Sequence, residues 1–225
     1  MTETQASLFP DADPRAERMV ERQLASRGIS NPRVLAAMRR VPRTLFLPAG
    51  STADPYADAP VSIGCGQTMS QPYMVGLMLE TLALRGGESV LEVGTGSGYQ
   101  TALLGLLARR VFTVERLAAL AERSRTTLEG LGYSNVMLRC GDGSLGWPEH
   151  APYDAVVVSA AAPRVPAGIR SQLADSGVLV LPVGPDESVQ MLCVVRRIGA
   201  RFETERTIPC RFVPLVGAEG FPERP

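Results

Sequence analysis

One stretch constrains the fold of this chain more than any other: Leu91-Glu92-Val93-Gly94-Thr95-Gly96-Ser97-Gly98, where a hydrophobic run, an acid and a glycine loop meet. Ser89-Val90-Leu91 leads in as the end of a buried strand, and Tyr99 to Ala108 leads out with Leu103, Leu104 and Leu107 at helical spacing. Strand, glycine turn and helix in that order let the backbone approach a ligand closely, because glycine accepts positive φ and has no Cβ in the way. The spacing departs from the dinucleotide fingerprint: that pattern needs its third glycine where Tyr99 stands, and Gly98 comes one residue early. Glu92, just before the first glycine, adds a carboxylate that suits a cationic ligand.

With 225 residues the chain is long enough for one well-buried domain. We read that domain as 14–217, with a disordered 1–13 before it and a tail over 218–225. Within it, 14–71 holds N-terminal helices and a substrate and cofactor loop, 72–185 the cofactor-binding core, and 186–217 the C-terminal strands. Lys+Arg and Asp+Glu both number 23, and no basic run is interleaved with aromatics, which argues against a nucleic-acid partner. Cys65, Cys140, Cys193 and Cys210 are far apart, with only His150 to join them, so no metal spacing exists. They read as small buried hydrophobes with reduced thiols. Met1 to Pro14 has no apolar core of signal-peptide length, so the expected location is cytoplasmic, with no membrane partner. Neutral charge and the lack of a long exposed apolar helix point to a monomer.

Ala16 to Leu24 has the mixed spacing of a surface helix ended by Gly28. Asn31-Pro32 reads as cap and first turn of a second helix through Val34, Leu35 and Met38, stopped by Pro42. From Leu45 to Gln71 the composition predicts a loop-dominated segment, and long ordered loops are usually functional. Pro72 opens a helix carrying Met74, Leu77, Met78 and Leu82, which Gly86-Gly87 closes. Regular alternation follows: strand 89–93, helix 99–108, strand 111–115, helix 117–130, strand 135–140 and strand 154–158. That pattern is a parallel sheet. A helix near 166–174, a strand at 178–181 and an antiparallel pair at 189–197 and 201–213, turning at Gly199-Ala200, complete the reading.

Glu115 ends the second strand about twenty residues past the first glycine, where such folds place an acid on ribose hydroxyls; a solvated acid at a strand end is the plain alternative. Gly141-Asp142-Gly143 ends the third strand, so Glu92, Glu115 and Asp142 are expected to line one crevice at the strand carboxyl ends. Alone, Gly141-Asp142-Gly143 is an ordinary turn. Arg116 either shapes the adenine side or starts the next helix, and Trp147 either lines the pocket or packs. His150, in a loop between Glu149 and Ala151, reads as a solvated surface residue.

The E-x-G-x-G-x-G form resembles the first motif of class I methyltransferases that use S-adenosylmethionine. The ordered blocks Gly66-Gln67-Thr68-Met69-Ser70-Gln71-Pro72-Tyr73, Glu92 to Gln100, Gly141-Asp142-Gly143, Pro152-Tyr153-Asp154, Pro182-Val183-Gly184 with Gln190, and Phe212-Val213-Pro214-Leu215 narrow this. Together they resemble the protein-L-isoaspartate O-methyltransferase family over about 19–217. The resemblance implies an α/β, Rossmann-like methyltransferase sandwich: a mostly parallel seven-stranded sheet flanked by helices, with N-terminal helices and a C-terminal antiparallel pair. It implies methyl transfer from S-adenosylmethionine, leaving S-adenosylhomocysteine, to the α-carboxylate of L-isoaspartyl residues in damaged proteins and peptides, with repair through a succinimide. An O-methyltransferase for an aspartate of one dedicated biosynthetic peptide is the alternative. By similarity Ser70 matches the active-site serine. Thr68, Met69, Glu92, Gly94, Gly96, Gly98, Glu115, Arg116, Asp142 and Gly143 match the cofactor site, and Gln71, Phe212, Val213 and Leu215 the substrate site. Methionine at 69 replaces the commoner isoleucine.

The implied chemistry needs little acid–base help. A carboxylic acid is ionised at neutral pH, so the acceptor arrives deprotonated. The task is to align three atoms and exclude water. A serine hydroxyl can donate to one carboxylate oxygen and leave the other free. Ser70, just before a proline-led helix, is equally a good N-cap.

Overall fold

The computed structural model describes residues 13–185 and 189–223. The expected disorder over 1–13 therefore lies outside the described residues, except for Asp13, whose side chain accepts from the Arg15 N–H and caps α1 (Pro14–Met19). That helix continues as a π turn over Val20–Leu24 and a 3-10 turn over Ala25–Arg27, then stops at Gly28. Ala16, Met19, Val20 and Leu24 are buried, so one face of this segment belongs to the core. Helix α2 (Pro32–Arg40) begins on Asn31, whose side chain accepts from the N–H groups of Arg33 and Val34. It ends ahead of Pro42, which pushes Val41 into extended backbone.

The segment expected as loop contains a 3-10 turn, Arg43–Phe46, and a hairpin of β1 (Val61–Gly64) and β2 (Gln67–Met69). Gly64 pairs with Gln67, leaving Cys65 and Gly66 as a two-residue turn with φ 54° and 69°. Two successive positive φ values match the twist of a tight hairpin, a geometry that a cysteine at the first position conceals from a sequence reading. Helix α3 (Pro72–Leu82) follows, and it closes at Ala83, φ 52°, ahead of the expected Gly86-Gly87. The left-handed Ala83 directs Leu84 into the core.

The main sheet contains β3 (Ser89–Val93), β4 (Arg110–Glu115), β5 (Val136–Cys140), β6 (Tyr153–Val158), β7 (Leu173–Val183), β8 (Gln190–Ile198) and β9 (Arg201–Cys210). Their order is β5-β4-β3-β6-β7-β8-β9, parallel from β5 to β7 and antiparallel through β8 and β9. The chain leaves β3 in one direction and later returns to its other side as β6, so a crevice opens between their carboxyl ends, the topological switch point. Helices α4 (Tyr99–Leu107), α5 (Ala118–Gly130) and α6 (Ala167–Ser171) join the parallel strands.

Alternate residues of the central strands feed two cores. Val90, Val111, Ala155 and Val157 pack on the face carrying α2 to α5. Leu91, Phe112, Val156 and Val158 pack on the other with Ile169 and Leu173. Both faces being covered explains why β6 is apolar without alternation. Strand β9 is an edge, and its exposed Arg201, Glu203, Glu205 and Arg206 blunt it against further pairing.

Two local expectations are corrected. Cys193 is buried, but Cys65 and Cys140 are exposed, because one occupies the hairpin turn and the other the end of edge strand β5. His150 is no free surface residue: it stacks on Phe112 at 4.3 Å between centroids and meets the Trp147 edge at 4.9 Å. Trp147 packs there, with Arg139 over its ring, away from the crevice.

Candidate active site

At the carboxyl ends of β3, β4 and β6 lies a cavity of about 450 Å³, within the range of small-molecule sites. The glycine turn after β3 forms its floor. Gly96, at φ 55°, turns its N–H to Glu115 Oε2 at 2.8 Å, and Glu115 Oε1 accepts from the Leu117 N–H at 2.9 Å. Glu115, nearly buried at 6% exposure, is thus fixed in the wall with lone pairs left for hydroxyl donors. The charged residues in the lining are Glu115, Arg116 and Glu223, and Arg116 is paired with Glu223 at 2.8 Å. Glu115 remains as an uncompensated negative charge, as a cationic ligand requires.

Thr68, Met69, Ser70, Gly94, Gly96, Glu115, Arg116, Gly143, Val213 and Leu215 all line this cavity. Gln71 and Phe212 line a second, smaller cavity of about 30 Å³, together with Pro60, Met74 and Arg211. Thr68, Ser70, Ser159 and Val213 belong to both. Ser70 therefore stands at the junction of a large cavity and a small one. It does not cap α3: Gln71 occupies the N-cap position, and its side chain makes no capping bond.

Three expected cofactor residues lie off the cavity. Glu92 is wholly buried behind the glycine turn, accepting from Gln100 Nε2 at 3.2 Å, from Thr113 Oγ1 at 2.8 Å and from the Thr101 hydroxyl. Burial pushes its carboxyl up to about 7, against the opposing pull of those hydrogen bonds. Its route to the cavity is indirect: Gln100 Nε2 also donates to Ser159 Oγ at 2.8 Å, and both residues line the wall. Gly98 is the N-cap of α4, and its open side faces Ser124 and Leu128 of α5. Asp142 accepts from the N–H groups of Ser144 and Ala218, both at 2.8 Å, so it serves a turn and the C-terminal segment. Those two bonds hold its carboxyl below the usual range, against the opposite push of partial burial.

The family of the chain follows from comparison with known proteins. A family model described as Protein-L-isoaspartate(D-aspartate) O-methyltransferase matches residues 14–220. The chain belongs to this family. A Rhodopseudomonas palustris protein-L-isoaspartate O-methyltransferase is 53% identical over 204 residues, covering 90% of this chain and 94% of its own. One from Methanoregula boonei is 49% identical over 213 residues, 95% and 97% of the two chains. A solved protein-L-isoaspartate O-methyltransferase superposes at a TM-score of 0.82 with 28% identity, over 91% of this chain and 67% of that one. A Plasmodium falciparum family structure in complex with S-adenosyl-L-homocysteine gives 0.77 at 25%, over 89% and 98%. The family is S-adenosylmethionine-dependent, and the residues here fit that group: a glycine turn for close backbone approach, and the fixed Glu115 carboxylate, whose lone pairs suit ribose hydroxyls and whose charge leaves the lining negative toward a cationic ligand.

Family membership does not reveal every wall. Gln100, Ser159 and the run Val216, Phe221, Pro222 and Glu223 also line the large cavity, and Arg211 the small one. Gln100 closes the motif block Glu92 to Gln100, and its place in the first turn of α4 is the signal that sets it beside the glycine turn. Of the C-terminal run, Val216 falls at the end of the expected strand segment and 221–223 in the expected tail, which carries no sequence signal; in the fold Val216 bridges Phe221, and Glu219 accepts from the Gly168 N–H at 2.9 Å. No group of three metal-ligating side chains occurs among the described residues, and no described helix is long and apolar enough to cross a membrane.

Proposed function

We propose that this protein methylates the α-carboxylate of L-isoaspartyl residues in damaged proteins and peptides and so starts their repair through a succinimide. The observation that carries the reading is the position of Ser70, which borders both cavities. A methyl donor in the larger cavity and an acceptor carboxylate in the smaller one meet beside its hydroxyl.

When bound, S-adenosylmethionine supplies an electrophilic methyl group. Glu115 holds the ribose hydroxyls, and Thr68 and Met69 close the side of the cavity next to Ser70. The Ser70 hydroxyl donates to one oxygen of the acceptor carboxylate and orients the other for attack. The carboxylate is already ionised near neutral pH, so no general base is needed. Arg211 at the small cavity adds a positive charge beside an anionic acceptor. Phe212 and Val213, at the small cavity, cover the peptide and keep water from the reacting atoms, while Leu215, expected beside the peptide, lines the large cavity and stands on the cofactor side.

In this reading the chain from 14 on acts as one domain that runs past the expected 217 to take in the packed segment 218–223, the protein works as a monomer in the cytoplasm, and nucleic acid is no partner, consistent with zero net charge. The test is transfer of labelled methyl to a peptide containing L-isoaspartate, against the same peptide with normal aspartate. Base-labile label on the isoaspartyl peptide alone is expected; equal label on both, or none, overturns the reading. Sedimentation as a single species of one chain mass is the matching test of the monomer.

A further inference from the structure

Beyond the glycine turn and its acids, one wall of the cofactor cavity comes from a segment no motif reaches. The Leu215 N–H donates to the Ala161 carbonyl, the Ala161 N–H donates to the Val213 carbonyl, and the chain then turns back so that the Phe221 N–H donates to the Leu215 carbonyl at 2.7 Å. The base of this turn is anchored at several points. Asp142 accepts from the Ala218 N–H, Ser144 Oγ from the Glu219 N–H, and the Glu219 carboxylate from the Gly168 N–H. The fit is close enough that a Cβ on Gly217 would collide with the Asp142 carboxylate. The outer end is held differently. Phe221, Pro222 and Glu223 lie along the cavity, and the side chain that ties them across its mouth is Glu223, bonded to Arg116 Nη1 at 2.8 Å. Arg116 follows directly on Glu115, the residue assigned to the ribose, so this ion pair closes the adenosine end. Its partners are 37% and 75% exposed, and such a pair contributes little net free energy and is screened by salt.

We infer that residues 216–223 are the outer wall of the cofactor site and that Glu223 is a positioning residue, its ion pair with Arg116 forming a weak latch that opens for cofactor entry and product release. A firm base with a weakly tied end suits a wall that must part and close in every turnover. The inference rests on the proposed cofactor chemistry but concerns binding rather than methyl transfer.

The test is the dissociation rate of S-adenosylhomocysteine by stopped-flow competition, on the full chain, with Glu223→Gln, Glu223→Asp and Phe221→Ala. Wild-type release should quicken as salt is raised. Glu223→Gln should release about fivefold faster at low salt, the upper end for one exposed pair, and lose the salt dependence. Glu223→Asp should restore part of both, and Phe221→Ala should also release faster. Equal rates and equal salt dependence in wild type and Glu223→Gln overturn the inference while leaving the cofactor reading intact. Failure of the wild type to bind the product overturns that reading, and the latch with it.

Discussion

Arg43 Nη2 donates to the carbonyl of Ser70 at 2.9 Å, so the residue at the junction of the two cavities is held from beneath by a cation with no exposure to solvent. The same guanidinium donates from Nε to the Pro55 carbonyl and lies over the Tyr99 ring, 4.7 Å from its centroid. Burial lowers its pKa, and Tyr99 opposes that shift. Arg43→Met strips a donor from two carbonyls, at about 1–3 kcal/mol each, but also removes the cost of burying a charge. We expect a net loss of about 1–3 kcal/mol, together with a fall in kcat as the Ser70 backbone relaxes. Urea unfolding and methyl transfer on one preparation check this; unchanged kcat would separate Arg43 from the site.

Ser70→Ala is predicted to lower turnover by about 10–100-fold, the equivalent of one hydrogen bond to a charged acceptor. S-adenosylhomocysteine affinity and Tm should not change, because Gln71 occupies the N-cap of α3. A lower Tm with full activity would make the hydroxyl structural.

Glu115→Gln is predicted to weaken S-adenosylhomocysteine binding by about 10–100-fold, since it replaces charge-assisted bonds with neutral ones and loosens the Gly96 and Leu117 N–H groups now fixed on the carboxylate. Calorimetry reads the effect directly. Wild-type affinity in this variant takes Glu115 out of the site.

Glu92 gives the protein a pH signature. Its folded-state pKa is about 7 against an ordinary 4.5, so between these values the folded chain keeps a proton that the unfolded chain has released. The stability contributed by the protonated form is complete below the ordinary value and is lost as pH rises through the raised one. Glu92→Gln cannot ionise, so its unfolding midpoint relative to wild type should rise as pH increases from about 5 to about 8. Parallel curves over that range would contradict the assignment.

The glycine turn, the strand ends and the order of strands and helices were legible because each depends on local periodicity: β6 reads as covered on both faces, and it is. Glu115 and Gly143 were legible because they sit at fixed offsets from those strand ends, whereas Ser70, inside a stretch that reads as loop, was legible only through the resemblance of Gly66 to Tyr73 to a known family. Glu92 was read as a ligand because a carboxylate next to a glycine turn carries no mark of which way it points. Its place in the strand turns it inward to Thr101 and Thr113. The hairpin at Cys65-Gly66 was illegible because a cysteine holds the positive φ that a glycine or asparagine would have signalled. The wall at 216–223 was illegible because it is fixed by contacts far along the chain, such as Asp142 with Ala218, that leave no period in the sequence.

The cavity walls come from within 67–75, 93–117, 143–160 and 213–223, in that order along the chain. Residues 213–223 therefore add the last side, and any chain stopped before 213 leaves the cavity open at its adenosine end. Competence thus waits on this segment, and copies that stop short of it cannot hold the methyl donor in a closed site.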